Sequence, residues 1–497
     1  SWLEEIKEEL GSIDSPYVTM SSQPTELDSP WSALSKYQVY EQLLHPLERK
    51  EDQDVEHSDL LLRSKRSPED TIVVITQQLL EDRRIWRDKR LSHLGGDAAA
   101  AIDQFFGQPS GHVIDNEDLS TYGAQWIRPE LFFLTDVLVQ ARNNKPILSE
   151  SERDRNERVQ HLMPFRPALF DYFGPEHIRE ILNPTFDIDE KGIMFSFELP
   201  VGDEVVTIKK YYRRKDPRDG EGTVREIAVP ALDIFPNYLD EHWRRYYVFN
   251  GHRDNVVVEP IVYGDASIVS KEQKGDIYDN GSMRRVEIAS ITGDQAFPDA
   301  LAVQSALDDQ PFGVIVLGAP DRIPERLAHT WTVGIDFGTS NTNIYSRVEG
   351  EDKARPWTFD FPRYIRRLTT ADDEERERLL ETFFLPDRPI HLPVATGLRI
   401  FEDGTKDHPI LDYFAHFNSS YTPSSSVRTG LKWEREGARD TEYFLESLLI
   451  LVLIEVVNQR ASQLRLRCSY PKAFSDNLLA LFKGEWERVV KRVCTGE

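Results

Sequence analysis

The chain has 497 residues, 39% apolar and 29% charged, long enough for roughly two to four domains and apolar enough for a sizeable core, which excludes global disorder. Its 60 Lys and Arg stand against 85 Asp and Glu, a formal net charge of −25, which argues against non-specific binding to a nucleic-acid backbone because that needs a cationic face. Two cysteines, Cys468 and Cys494, cannot build a disulfide scaffold and point to a reducing compartment.

Residues 1–166 read as a mostly helical region. Apolar residues recur at helical spacing over 31–47, a charged helical pattern covers 77–94, and 98–106 and 131–141 are further helical candidates. A short β-branched run lies at 71–76. The opening residues 2–10 carry no signal-peptide pattern. His57, His93 and His112 are far apart and read as surface or capping residues.

Residues 167–320 read as a β-rich domain, either a sandwich or an open barrel. Residues 192–199 and 203–212 form two strands around the break Pro200-Val201-Gly202. Further strands are predicted at 226–232, 245–249, 255–263, 284–291 and 313–317. The aromatics Phe235, Tyr238, Trp243, Tyr246, Tyr247 and Phe249 admit two readings, a domain core or a recognition face, and core is the default for strand aromatics. Lys209, Lys210, Arg213, Arg214, Lys215 and Arg218 form the densest positive run, which reads as solvated surface. Residues 321–330 read as a linker. No repeat of solenoid or propeller period is present.

The chemistry concentrates after that linker. Residues 331–347 read WTVGIDFGTSNTNIYSR. A β-branched strand ends in Asp336, a tight turn of Phe337, Gly338, Thr339, Ser340 and Asn341 follows, and a second strand starts at Thr342. Gly338 lets the backbone approach a ligand closely. Successive turn N–H groups suit phosphate oxygens, and the Thr339 and Ser340 hydroxyls add donors. Asp336 is placed to hold a hydrated Mg²⁺, which keeps most of its waters and takes few protein carboxylates.

Residues 334–342, GIDFGTSNT, resemble the first phosphate loop of the actin, heat-shock-chaperone and sugar-kinase superfamily. The chaperone branch is closest, its loop running Gly-Ile-Asp-Leu-Gly-Thr-Thr-Asn-Ser. A second resemblance follows: an apolar-faced helix at 441–459, a strand at 464–468, the turn Ser469-Tyr470-Pro471-Lys472-Ala473-Phe474, and a helix at 478–493 capped by Ser475. The apolar run 448–457, broken by Glu455, is too short to cross a bilayer as a helix. These two matches span most of 331–497.

The resemblance implies a ribonuclease-H-like α/β first lobe at 331–497, ATP and Mg²⁺ as cofactors, hydrolysis by a positioned water, and coupling to a protein partner or client. It implies that Asp336 organises the metal, that Gly338, Thr339, Ser340, Asn341 and Thr342 hold phosphates, and that Lys432 or Arg428 is the cation nearest the γ-phosphate. The order of those two cations departs from the family's Lys-before-Arg pattern. The family's second phosphate loop, Asp-x-Gly-Gly-Gly-Thr, and its adenosine loop have no counterpart; the Gly95-Gly96 pair lies upstream. The expectation is therefore the amino-terminal part of a longer, cytoplasmic, bacterial-type ATPase, inactive by itself. Two alternatives stay open: a non-catalytic scaffold that recognises its partner through the β-rich domain, and a small-molecule kinase whose general base would be Asp476. No Walker A loop, Gly-x-Gly-x-x-Gly, His-Glu-x-x-His or Gly-x-Ser-x-Gly occurs.

Overall fold

In the computed structural model the described residues are three short strands before residue 128 and most of 129–495, apart from 150–161, 372–388, 402–406, 418–426, 433–437 and several breaks of one to three residues. Ser1–Ser58 and Asp59–Glu497 are separate compact units. The first lies outside the described residues, as do the helices predicted at 31–47, 77–94 and 98–106.

β1 (Leu61–Arg63), β2 (Thr71–Val74) and β3 (Gln125–Ile127) make a small sheet in which β2 lies antiparallel to β1 and parallel to β3. The next sheet has the order β4-β8-β7-β6-β5, from β4 (Val137–Ala141), β5 (Thr185–Ile188), β6 (Gly192–Val201), β7 (Glu204–Arg213) and β8 (Gly222–Ile227). The hairpin β6–β7 follows period-2 chemistry: Ile193, Phe195, Phe197 and Leu199 are buried while the residues between them are half-buried. Phe165 meets Phe195 and Phe197 edge to face at 5.4 and 5.1 Å.

One prediction is overturned here. Only Pro129–Phe132 (α1) is helical in the stretch 131–141, and Val137–Ala141 is a strand parallel to β8. Every position of β4 is buried. A strand buried on both faces loses its alternation and cannot be told from a helix by periodicity. Two more short helices follow, α2 (Leu169–Tyr172) and α3 (Pro175–Glu180).

β9 (Ala231–Phe235), β10 (Arg245–His252), β12 (Ala266–Asp279) and β13 (Ser282–Gly293) form an antiparallel sheet in the order β12-β13-β10-β9. β11 (Val256–Ile261), β14 (Ala300–Ser305) and β15 (Pro311–Val316) form another, in the order β11-β14-β15. The single strand predicted at 226–232 is two: β8 ends at Ile227 and β9 begins at Ala231. Pro230 between them has no N–H to give a ladder. The six aromatics from Phe235 to Phe249 are all buried. Tyr246 donates to the Tyr238 carbonyl at 3.0 Å, and Tyr238 to that of Ile454 at 3.2 Å. They are core, so they offer no recognition face.

The stretch 321–330 is tied down: Ile323 N–H donates to Leu239 O at 2.7 Å and Leu239 N–H to Asp321 O at 3.1 Å. β16 (Leu327–Phe337) starts within it, followed by β17 (Asn341–Val348) and β18 (Arg355–Pro356). Short strands come next: β19 (Thr358–Phe359), β20 (Arg366–Arg367), β21 (Ile390–His391), β22 (Val394–Ala395), β23 (Gly397–Ile400), β24 (Tyr413–His416) and β25 (Val427–Thr429). β20 pairs with β9. Helix α4 (Ala438–Asn458), strand β26 (Ala461–Cys468) and helix α5 (Asp476–Thr495) complete the described chain.

The sheet that matters for the site has the order β18-β17-β16-β26. β16 and β17 are an antiparallel hairpin; β26 returns parallel to β16 after α4. Val333, Ile335, Phe337 and Ile344 bury one face of this sheet, in one core with Leu445, Leu448 and Leu449 of α4 and Phe482 and Val489 of α5. The run 448–457 is thus a buried helix, as read from sequence, and no described helix is long and apolar enough to cross a membrane. The fold is a mixed α and β assembly of several sheets, dominated by strands.

Candidate functional site

Asp336 is exposed because its neighbours are not. Ile335 and Phe337 are buried, so strand alternation turns Asp336 to the opposite, open face. The Phe337 ring stacks on Phe482 at 6.4 Å and lies 5.5 Å from Phe444. Helices α5 and α4 therefore grip the residue next to the carboxylate.

The turn after Phe337 is tight. A Cβ on Gly338 would meet the Asn341 carbonyl oxygen at 2.1 Å, closer than any side chain tolerates. Thr339 and Ser340 are exposed at its tip. The Ser340 carbonyl accepts from Thr396 N–H at 2.9 Å, and Asn341 pairs with Ala395 of β22, so a neighbouring strand braces the loop.

Thr342 does not fit its predicted part. It is fully buried, and its hydroxyl shares a 2.8 Å hydrogen bond with that of Thr396. Position 342 points to the core side of β17, as alternation from exposed Asn341 requires.

Of the two candidate cations, Lys432 reaches the loop. Gly430, at φ +77°, ends β25 in a left-handed turn that L side chains resist. Leu431 then anchors in the core, its carbonyl accepting from Thr441 Oγ1 at 2.7 Å. Lys432 Nζ donates to the Phe337 carbonyl and lies 5.8 Å from that ring's centroid. Burial pushes the Lys432 amine below its ordinary value, and the charge of Asp336 pulls it partly back. Arg428 has another partner, the carboxylate of Asp440 in the first turn of α4.

The structure adds Ser469. Its hydroxyl donates to Asp336 Oδ1, and its N–H donates to Ile335 O at 3.0 Å. No local pattern marks this residue, because the bond depends on the register of two strands 133 residues apart. The turn after it leads to α5, where Ser475 caps as predicted: Leu478 N–H donates to Ser475 Oγ at 3.4 Å. Asp476, the kinase-type base of the third reading, sits in the first turn of this helix, a position that helix N-termini favour for acids in any case.

Among the described residues no group of three or more His, Cys, Asp or Glu could hold a metal ion. A lone carboxylate such as Asp336 is a sparse donor set, which fits a cation that keeps most of its waters better than one that needs a full protein cage. Cys468 packs against the core, and burial pushes its thiol up to about 12.

The basic run on β7 is only partly free. Lys210 is buried against Asp136 at 2.8 Å, Arg213 pairs with Glu221 at 2.6 Å, and Arg214 donates to Gln140 at 2.8 Å. Lys209, Lys215 and Arg218 are exposed.

No protein-family model matches the chain, and no solved structure matches it significantly.

Proposed function

We propose that residues 331–497 form the ribonuclease-H-like first lobe of a chaperone-like or actin-like ATPase, and that its 334–342 loop binds Mg-ATP. The observation that carries this reading is an exposed carboxylate, Asp336, at the end of β16, beside the Gly338 turn and the Lys432 amine. It lies at the carboxyl ends of two adjacent parallel strands, where open α/β sheets take their ligands. The strand order β18-β17-β16-β26, three antiparallel strands and then a parallel one after a helix, supports the lobe assignment.

When bound, Mg²⁺ neutralises phosphate charge and fixes phosphate geometry. The chain's own residues have separate tasks. Asp336 holds the waters of the cation. The turn at Gly338, Thr339, Ser340 and Asn341 offers backbone N–H groups and two hydroxyls to phosphate oxygens. Lys432, partly desolvated, places a positive charge beside them. The residues upstream of 331 would couple the lobe to a protein partner.

A binding-only variant of this reading has one observation in its favour. Arg428 and the Thr342 hydroxyl, both expected at the phosphates, are engaged by Asp440 and Thr396. Phosphate release measured beside binding separates the two. For either variant, calorimetry of ATP binding with and without Mg²⁺ is the test. We expect Asp336→Ala to weaken binding about tenfold or more with Mg²⁺ and to leave metal-free binding unchanged, since a hydrogen bond between a carboxylate and a water of the cation is worth about 1.5–3 kcal/mol. Binding by the native chain that ignores Mg²⁺, or no binding, would sink the proposal.

A further inference from the structure

Ser469 stands one step past the last register pair of β26 and β16, Ile335 with Cys468. Its N–H closes the ladder on Ile335 O at 3.0 Å, so its backbone position relative to Asp336 is set by the sheet. Cys468 packs against the core, and alternation therefore turns Ser469 to the open face that Asp336 occupies. There its hydroxyl donates to Asp336 Oδ1.

Both residues are exposed. Water would satisfy either group as well, so burial does not demand this bond, and an exposed hydrogen bond adds little to stability. Its effect is on orientation. Lys432, the nearby cation, gives one of its three N–H donors to the Phe337 carbonyl. The hydrogen-bond donor on Asp336 Oδ1 is the neutral Ser469 hydroxyl: it restrains the carboxylate without cancelling its charge, where a directly bonded Arg or Lys would do both. The second carboxylate oxygen remains for a ligand.

We propose that Ser469 is a positioning residue for Asp336, fixing one carboxylate oxygen so that the other meets the waters of a bound Mg²⁺ in a constant orientation. The inference rests on the Mg-ATP reading above and adds to it a residue supplied from the far end of the lobe. Holding a ligating group in its productive geometry before binding removes an ordering cost from the binding step.

The test is titration of Mg²⁺ into the full chain with a fluorescent ATP analogue, reading the metal-dependent and metal-free affinities separately. Ser469→Val and Ser469→Thr share one shape and differ in the hydroxyl, which Val lacks and Thr keeps. We expect Ser469→Val to weaken the metal-dependent affinity by about three- to tenfold, the scale of one hydrogen bond to a charged group. Metal-free affinity and melting temperature should stay put, and Ser469→Thr should bind like the native chain. In an Asp336→Asn background Ser469→Val should add nothing, because the two residues act as one unit. A merely structural serine would instead lower the melting temperature and both affinities together. If Asp336→Ala abolishes the metal dependence and Ser469→Val leaves it intact, the Ser469 proposal fails alone. If the native chain shows no metal-dependent binding, the nucleotide reading fails and takes this one with it.

Discussion

At the scale of single residues, internal hydrogen bonds decide which polar groups are left for a ligand. Thr342 and Thr396 satisfy each other, while Asp336 accepts from the neutral Ser469 hydroxyl at one carboxylate oxygen. A different residue, Glu485 on α5, carries a pH dependence. It is buried. Burial, and then the Glu442 charge across on α4, push its carboxyl up to about 7, against a smaller opposing effect of Arg488. The folded pKa exceeds the unfolded one, so the folded state holds a proton that the unfolded state releases as pH rises from about 4.5 to 7. Stability from this group is therefore full below that window and lost through it. Glu485→Gln, which mimics the protonated form, should raise stability at pH 8 by about 1–3 kcal/mol and change nothing at pH 4. Denaturant melts of both chains at the two pH values check this; an equal difference at both would show that packing, not charge, is responsible.

At the scale of elements, legibility followed exposure. The hairpin β6–β7 and the pair β16–β17 each keep one wetter face, so alternation and turn residues betrayed them. The helix α4 announced itself by an apolar run of helical length. β4 misled because it is buried on both faces, and β12 escaped because its stretch 271–275, KEQKG, is polar and its pairing with β13 is a backbone matter. In the site, Asp336 and Gly338 were legible from a continuous local motif. Ser469 was not, because its contact with Asp336 is created by strand register. The same two-faced logic makes a prediction about the site's sheet. Leu448 of α4 is fully buried beneath it, whereas Tyr345 stands 46% exposed on the opposite face. Leu448→Ala should cost about 2–5 kcal/mol, the range for an aliphatic core truncation, and Tyr345→Ala about 0.5 kcal/mol, as surface changes do. Urea denaturation gives both numbers, and comparable costs would mean that the open face is covered.

At the scale of the described assembly, the sequence boundary near residue 330 does not divide the packing. β20 adds a strand to the sheet of β9, β10, β12 and β13. Tyr238 donates to a carbonyl of α4, and Tyr247 to the Pro409 carbonyl at 3.4 Å. Lys271 of β12 forms an ion pair with Asp412, whose side chain is wholly buried and also accepts from the N–H groups of Asp407 and His408, each at 3.1 Å. Removing one partner of such a pair leaves a buried charge uncompensated, at about 3–5 kcal/mol. A chain cut to residues 327–497 loses Lys271, Tyr238 and the whole β9 edge at once, and Phe235 no longer covers Phe361, which it meets at 6.3 Å. Against a typical total stability of about 5–15 kcal/mol, those losses leave little. The cut chain should keep strand and helix signals in far-ultraviolet circular dichroism yet lack a cooperative melt, and it should bind a dye that reports exposed apolar surface. A sharp melt near that of the full chain would instead establish 327–497 as a self-sufficient lobe. The upstream β-sheets would then be an appended region and not part of the scaffold that holds Asp336 in place.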